Sequence, residues 1–229
     1  MQDLKRYSKV DTGMKREFLL LVGKGCKWRK CTFCDYHEDC SPNPFLTNKP
    51  ILDLVTGEYG VLDIVDSGSV FELDDETIKY IRKVVVEKNI HTLWLETHYM
   101  YRKFLKQLSD YFPCTVKYRV GAETFDQDLR DSWNKGVPHD VTAEMLAKDF
   151  QGVCMLVGIK GQTKEGILRD LELADRYFEY YSVNLFNPNT TATELDPELA
   201  EFVRTEVKEL LSTRPKAELL IENTDLGVG

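Results

Sequence analysis

The chain has 229 residues, 42% of them hydrophobic and 30% charged, with a formal net charge of −8. That is enough for one sizeable α/β domain or two small ones; no apolar run is long enough to span a membrane, and the first residues hold no signal-peptide core. Acidic residues interrupt the short basic clusters KWRK and YRKFLK, which favours a small-molecule substrate over a polynucleotide, and in the expected cytoplasmic setting six cysteines point to metal or catalysis rather than disulfides.

In chain order, a strand is expected at EFLLLVG (17–23), followed at once by the loop GKGCKWRKCTFCDYHEDC. Further short apolar runs follow at GVLDIV (60–65), HTLWLE (91–96), TVKYRVG (115–121), GVCMLVGI (152–159) and YYSVNLF (180–186), with another at AELLIEN (217–223). Most are rich in branched or aromatic residues, as buried strands are. Helical patterns lie between them. DDETIKYIRKVVVEKN opens on an acidic cap at Asp74 or Asp75 and sets Ile78, Ile81, Val84 and Val85 on one face. TKEGILRDLELADRYF repeats Ile167, Leu171, Ala174 and Phe178, and LDPELAEFVRTEVKELL uses Asp196 as cap and Pro197 in the first turn, with Leu199, Phe202, Val203, Val207 and Leu210 inward. Six βα units imply a parallel sheet, curved into a partial (β/α)6 barrel or laid out as a doubly wound open sheet. No linker divides the sequence, so residues 1–229 read as one domain, with core elements over about 16–213 and a short C-terminal extension.

In either architecture function belongs at the carboxyl ends of the strands. The cysteine loop leaves the first strand there, and DSGS, ETHY, GAET and NPNTT leave the second, third, fourth and sixth. Cys26, Cys31 and Cys34, with His37 or Cys40, could supply four tetrahedral zinc ligands. Structural zinc uses two well-separated pairs, however, whereas three crowded thiolates can each reach a different iron of a cubane and leave one corner open. Cys40, Cys114 and Cys154 read as ordinary thiols.

The loop resembles that of the radical SAM enzymes, C-x3-C-x-aromatic-C, with CTFC matching its second half and Phe33 as the aromatic; CKWRKC departs by one extra residue. The resemblance covers nearly the whole chain. It implies a radical SAM partial barrel, a [4Fe–4S] cluster on Cys26, Cys31 and Cys34, and S-adenosyl-L-methionine (SAM) on the open iron. It further implies cofactor contacts from Phe33 and Tyr36 and from the turn Ser67–Gly68–Ser69, which would receive the methionine amino group. Glu96 would face SAM, Glu123 its ribose, Arg130 or Lys135 its carboxylate, and Gly158 its adenine. One electron, from a donor such as flavodoxin or ferredoxin, would yield a 5′-deoxyadenosyl radical.

Within that superfamily the GCKWRKCTFCDY loop, the DSGSVFE turn and the length resemble the queuine lyases of bacterial queuine salvage. That resemblance implies a queuine-like base as substrate and cleavage of its C–N bond to release preQ1 (7-aminomethyl-7-deazaguanine). Asp35, Asp63, Asp66, Glu96 and Glu222 are then candidates for the base's N–H donors and ammonium, and Asn184, Asn187 and Asn189 for its carbonyl or diol. His98 and Tyr99, with His37, are candidates to move the accompanying proton. The alternatives are a tRNA-modifying radical SAM enzyme of another deazaguanine pathway and a zinc-stabilised binding module.

Overall fold

The computed structural model describes residues 4–229. Two compact units emerge. The first takes in residues up to Arg29 with Tyr36–Tyr118 and Thr224–Gly229; the second takes in Lys30–Asp35 and Arg119–Asn223.

The first unit is built on β1 (Tyr7–Val10), β2 (Arg16–Leu21), β3 (Val61–Asp66) and β4 (Thr92–Thr97). β2, β3 and β4 run parallel, with Leu21 opposite Asp66 and Ile64 opposite Leu95, whereas β1 adds an antiparallel edge through Tyr7–Leu19 and Val10–Arg16. Leu19, Leu21, Leu62, Ile64, Leu93 and Leu95 are at most 1% exposed. Each such side chain contributes about 1.5–3 kcal/mol by leaving water. Strands buried on both faces explain why these runs are continuously apolar rather than alternating.

β5 (Thr115–Glu123) begins in the first unit and ends in the second, which continues with β6 (Gly152–Val157), β7 (Tyr180–Leu185) and β8 (Ala217–Leu220), all parallel. β5 runs two residues further than its sequence suggests because of a register shift between Gly121 and Glu123. Such a bulge bends a strand and re-aims a side chain.

Two helices carry the expected caps: Asp74 accepts the Thr77 amide ahead of helix Asp75–Glu87, and Asp196 accepts Glu198 and Leu199 ahead of Pro197–Phe202. Thr163 also caps Lys164–Tyr177, accepting the Gly166 amide. Ile78 is only half-buried, and Thr77 takes its place in the core. In the last helix a π-helical turn at Val203–Val207 adds a residue to the repeat, so Leu211 rather than Leu210 ends up buried. Helix Pro44–Leu52 has no readable apolar stripe: Leu46 is 72% exposed while Asn48 is fully buried.

Candidate functional site

The cysteine loop is anchored at three places, each by polar groups meeting backbone. At its entrance Asn48 accepts Val22 N–H at 2.9 Å and donates to Val22 C=O at 2.8 Å, holding the chain as it leaves β2. At its exit Gly23 pairs with Cys40 and accepts the Ser41 amide, so Cys40 closes the loop's base with its own side chain exposed. Between them, Lys27 N–H, one residue after Cys26, donates to Glu72 Oε1 at 2.9 Å.

The other two cysteines of the loop fall in the second unit. Phe33, between them, lies edge-on to Trp133 at 5.8 Å in a cluster with Ile159 and Phe186, against which Cys31 and Cys34 pack. Thr32 N–H donates to Trp133 C=O, Asn189 Nδ2 to Phe33 C=O, and Thr193 Oγ1 to Thr32 C=O. Asp35 accepts Thr190 N–H and Oγ1, and the Tyr36 side chain is 57% exposed. Cys26, Cys31 and Cys34 are all half-buried free thiols. Among the described residues no three His, Cys, Asp or Glu side chains converge as ligands of one ion; a cubane asks for a different arrangement, one thiolate per iron corner.

In the first unit the carboxyl end of β3 forms a tight polar turn. Gly68 N–H donates to Asp66 Oδ1 at 2.6 Å, and Ser69 Oγ lies 2.9 Å from Thr97 Oγ1. A Cβ on Gly68 would sit 2.2 Å from Glu72 Oε2 and 3.1 Å from Cys26 Cα, so only glycine fits. Glu72 also accepts Tyr101 OH at 2.8 Å. Burial holds the Asp66 carboxyl well above the ordinary carboxylate range despite the Gly68 amide, and the Glu96 and Glu72 carboxylates push it further. Glu96 is half-buried near the end of β4. His98, buried, accepts Met100 N–H on Nδ1 and stacks on Trp28 at 5.3 Å, which leaves its ring proton on Nε2 in the neutral form. Tyr99 is half-buried, with the Arg102 guanidinium over its ring.

In the second unit the β5 bulge puts Glu123 at φ +67°, where its carboxylate meets Lys135 Nζ at 2.6 Å with both side chains about nine-tenths buried. A non-glycine residue held in this region is a mark of functional sites. Lys135 Nζ also lies 5.8 Å from the Phe33 ring centre. Arg130, its rival as carboxylate partner, is 0% exposed and donates Nη2 to the carbonyls of Pro138 and Val141. Gly158, at φ +88°, has no room for a Cβ, which would lie 2.6 Å from Leu185 Cδ1. Asn184 donates to Met155 C=O, and Asn187 to the carbonyls of Leu185 and Ile221.

Asp63 is fully buried within β3 and accepts a hydrogen bond from Arg16 Nε at 2.9 Å, with both side chains 0% exposed. Sequence reasoning missed Glu72, Trp28, Trp133 and Tyr101. Glu72 lies within the quoted DSGSVFE run, and its one visible signal is an acid interrupting an apolar stretch.

The sequence model of the radical SAM superfamily matches residues 20–174. The chain is similar over 99% of its length to a queuine lyase from Clostridium spiroforme bound to SAM and queuine. It covers 100% of that chain at 39% identity, with a TM-score of 0.94. Streptococcus suis SuiB shares the fold at 16% identity and TM-score 0.58, over 91% of this chain and 50% of that one. Methylornithine synthase (PylB) does so at 14% identity and TM-score 0.60, over 88% and 63%. None of the curated proteins matches. The expected α/β partial barrel with a parallel curved sheet is thus the fold of this chain.

Proposed function

Because the chain belongs to the radical SAM superfamily, we propose that it is a queuine lyase, cleaving the C–N bond of queuine to release preQ1. The observation that carries this is the near-complete overlap with a queuine lyase bound to SAM and queuine, at 39% identity across both chains. Enzymes of this superfamily use a [4Fe–4S] cluster and SAM, and the residues present fit both. Three half-buried thiols lie on one loop, two buried polar atoms at the β3 turn lack protein partners among the described residues, and Gly68 has no space for a Cβ. When bound, cluster and SAM supply reductive sulfonium cleavage and with it hydrogen abstraction from an unactivated carbon, chemistry no side chain performs.

The chain's own work is holding, orienting and excluding water. On this reading Cys26, Cys31 and Cys34 hold the cluster, and Phe33 and Tyr36 flank it. The Ser67–Ser69 turn and Glu96 take the methionine end of SAM. Glu123 orients the ribose, Lys135 meets the carboxylate, and Gly158 lies against the adenine. Arg130 has a positioning role, since its guanidinium serves the Pro138 and Val141 carbonyls. Asp35 and Asp66 are the carboxylates offered to the base. Asn184, in β7, and Asn187, just beyond it, are each held through Nδ2 by backbone carbonyls and present Oδ1 to the substrate. His98 holds a proton on Nε2, and Tyr99 one on its hydroxyl, for the amine released when the bond breaks. Asp63 contributes by fixing β3 through Arg16. The electron comes from an external donor such as flavodoxin or ferredoxin. A cytoplasmic setting keeps the thiols reduced, and among the described residues no helix is long and apolar enough to cross a membrane.

Anaerobic incubation of reconstituted enzyme with reductant, SAM and queuine tests the proposal. Mass spectrometry should find 5′-deoxyadenosine and 7-aminomethyl-7-deazaguanine. Unchanged queuine beside brisk SAM turnover would defeat the substrate assignment.

A further inference from the structure

Residues 187–196, which join β7 to helix Pro197–Phe202, form no helix or strand. They are nevertheless fixed at both ends. At the start Asn187 Nδ2 donates to Leu185 C=O and to Ile221 C=O, just past β8. At the finish Leu195 bridges Ile159, Lys160 N–H donates to Glu194 C=O at 3.0 Å, and Asp196 N–H donates to Gly158 C=O at 2.7 Å. The segment is a strap drawn between the end of β8 and the turn after β6. Ordering an irregular stretch costs backbone entropy at every residue, so what its middle holds is of interest.

The middle grips the cysteine segment of the second unit. Asn189 Nδ2 donates to Phe33 C=O at 2.8 Å, and Thr193 Oγ1 to Thr32 C=O at 2.8 Å. Thr190 N–H and Oγ1 both donate to Asp35 Oδ2, at 3.0 and 2.9 Å. The two carbonyls lie between Cys31 and Cys34, where Cys34 N–H closes a turn on Cys31 C=O at 3.4 Å. Leu195 packs against the same Phe33 cluster. The Asn189 amide is engaged at both ends, because its Oδ1 accepts Thr191 N–H at 3.0 Å and Thr191 Oγ1 at 2.8 Å. An amide used in this way is a poor reader of a substrate and a firm brace for the backbone between two thiols.

We infer that Asn189 and Thr193 are positioning residues for the cluster: by holding the carbonyls of Phe33 and Thr32 they fix the directions of Cys31 and Cys34 before iron arrives. The inference rests on the cluster ligand set proposed above and is independent of the substrate. Thiols already held in place lose less freedom on loading. Hydrogen bonds that orient a metal's ligands from outside weigh heavily on how well the metal is retained.

Asn189→Ala and Thr193→Val each remove one of the two carbonyl bonds without changing charge. Both proteins, reconstituted anaerobically with excess iron and sulfide, should load the wild-type amount. Transferred to the ferrous chelator bathophenanthroline disulfonate, each should release iron about threefold to tenfold faster than wild type, the worth of one hydrogen bond. The double variant should do so roughly tenfold to a hundredfold faster. The electron paramagnetic resonance spectrum of the reduced cluster should change in both. Thr142→Ala is the control. It removes the hydroxyl that accepts the Met145 amide ahead of helix Ala143–Leu146, weakening the same unit by a lost cap, and should keep wild-type iron release and spectrum. Wild-type iron release in both strap variants would overturn the inference. Equal acceleration in T142A would overturn it too, by making iron retention a matter of overall stability alone. Every rate is read without queuine, so a wild type inert to that base beside variants that release iron in the expected order would end the substrate reading and uphold this one.

Discussion

Changing Asp63 to alanine separates a structural carboxylate from a substrate-binding one. Asp63 and Arg16 are both fully buried, joined at 2.9 Å, with the guanidinium also donating to Met14 C=O and lying over Phe18. Alanine takes the carboxylate away from a fully buried guanidinium, which costs about 3–5 kcal/mol. That is a large part of the ~5–15 kcal/mol that holds a protein folded. At about 2–4 °C per kcal/mol for a chain this size, the melting temperature should fall by roughly 6–20 °C. Anaerobic thermal melts of reconstituted protein give the first number, and steady-state kinetics of the fraction that remains folded give KM for queuine, which should stay at the wild-type value. Removing both charges together in Arg16→Met/Asp63→Leu should recover most of the loss, because an apolar replacement of a buried pair is close to neutral. A D63A enzyme that melts with the wild type yet shows a raised KM would refute the structural assignment.

The cysteines offer a sharper contrast. Alanine at Cys26, Cys31 or Cys34 should abolish both iron loading and 5′-deoxyadenosine formation, while Cys40→Ala, at an exposed residue in the loop's base ladder, should keep both; loss of metal from C40A alone would overturn the ligand set. Lys135→Met should weaken SAM binding with the fold intact, whereas Arg130→Met should lower thermal stability, since its buried guanidinium serves two backbone carbonyls; melts and SAM affinity measured on both variants would show any reversal. Burial lifts the Asp170 carboxyl from 3.8 to about 6, against the opposing Thr124 and Phe125 donors. A carboxyl raised on folding favours the folded state below pH ~4, and that advantage is lost as pH climbs through about 6, about 3 kcal/mol in all. Asp170→Asn should therefore gain stability relative to wild type between pH 4 and 7, and parallel pH–stability curves for the two proteins would contradict the assignment.

The strand–helix alternation, the capping residues Asp74 and Asp196, and the order of polar turns at the strand ends could all be read from the chain, because each depends on neighbours a few residues away. Hydrophobic runs and caps are local, and tertiary packing reinforced them. The spacing of Cys26, Cys31 and Cys34 was likewise visible, since a loop ligand set is written in consecutive residues. The partners of polar side chains were not. Asp63 and Asp66 look alike three residues apart, yet one is locked to Arg16 within the sheet and the other shapes the turn at its end. Arg130 and Lys135 were equivalent cations until the bulge in β5 turned Glu123 toward the lysine and burial committed the arginine to carbonyls. Helix Pro44–Leu52 stayed hidden because it turns Asn48 inward to hold Val22 and leaves Leu46 in water, the reverse of an amphipathic pattern. Glu72 is the extreme case: its environment is made by Lys27, Gly68 and Tyr101, brought together only when the strands pair, and no local pattern encodes a contact between residues 45 positions apart.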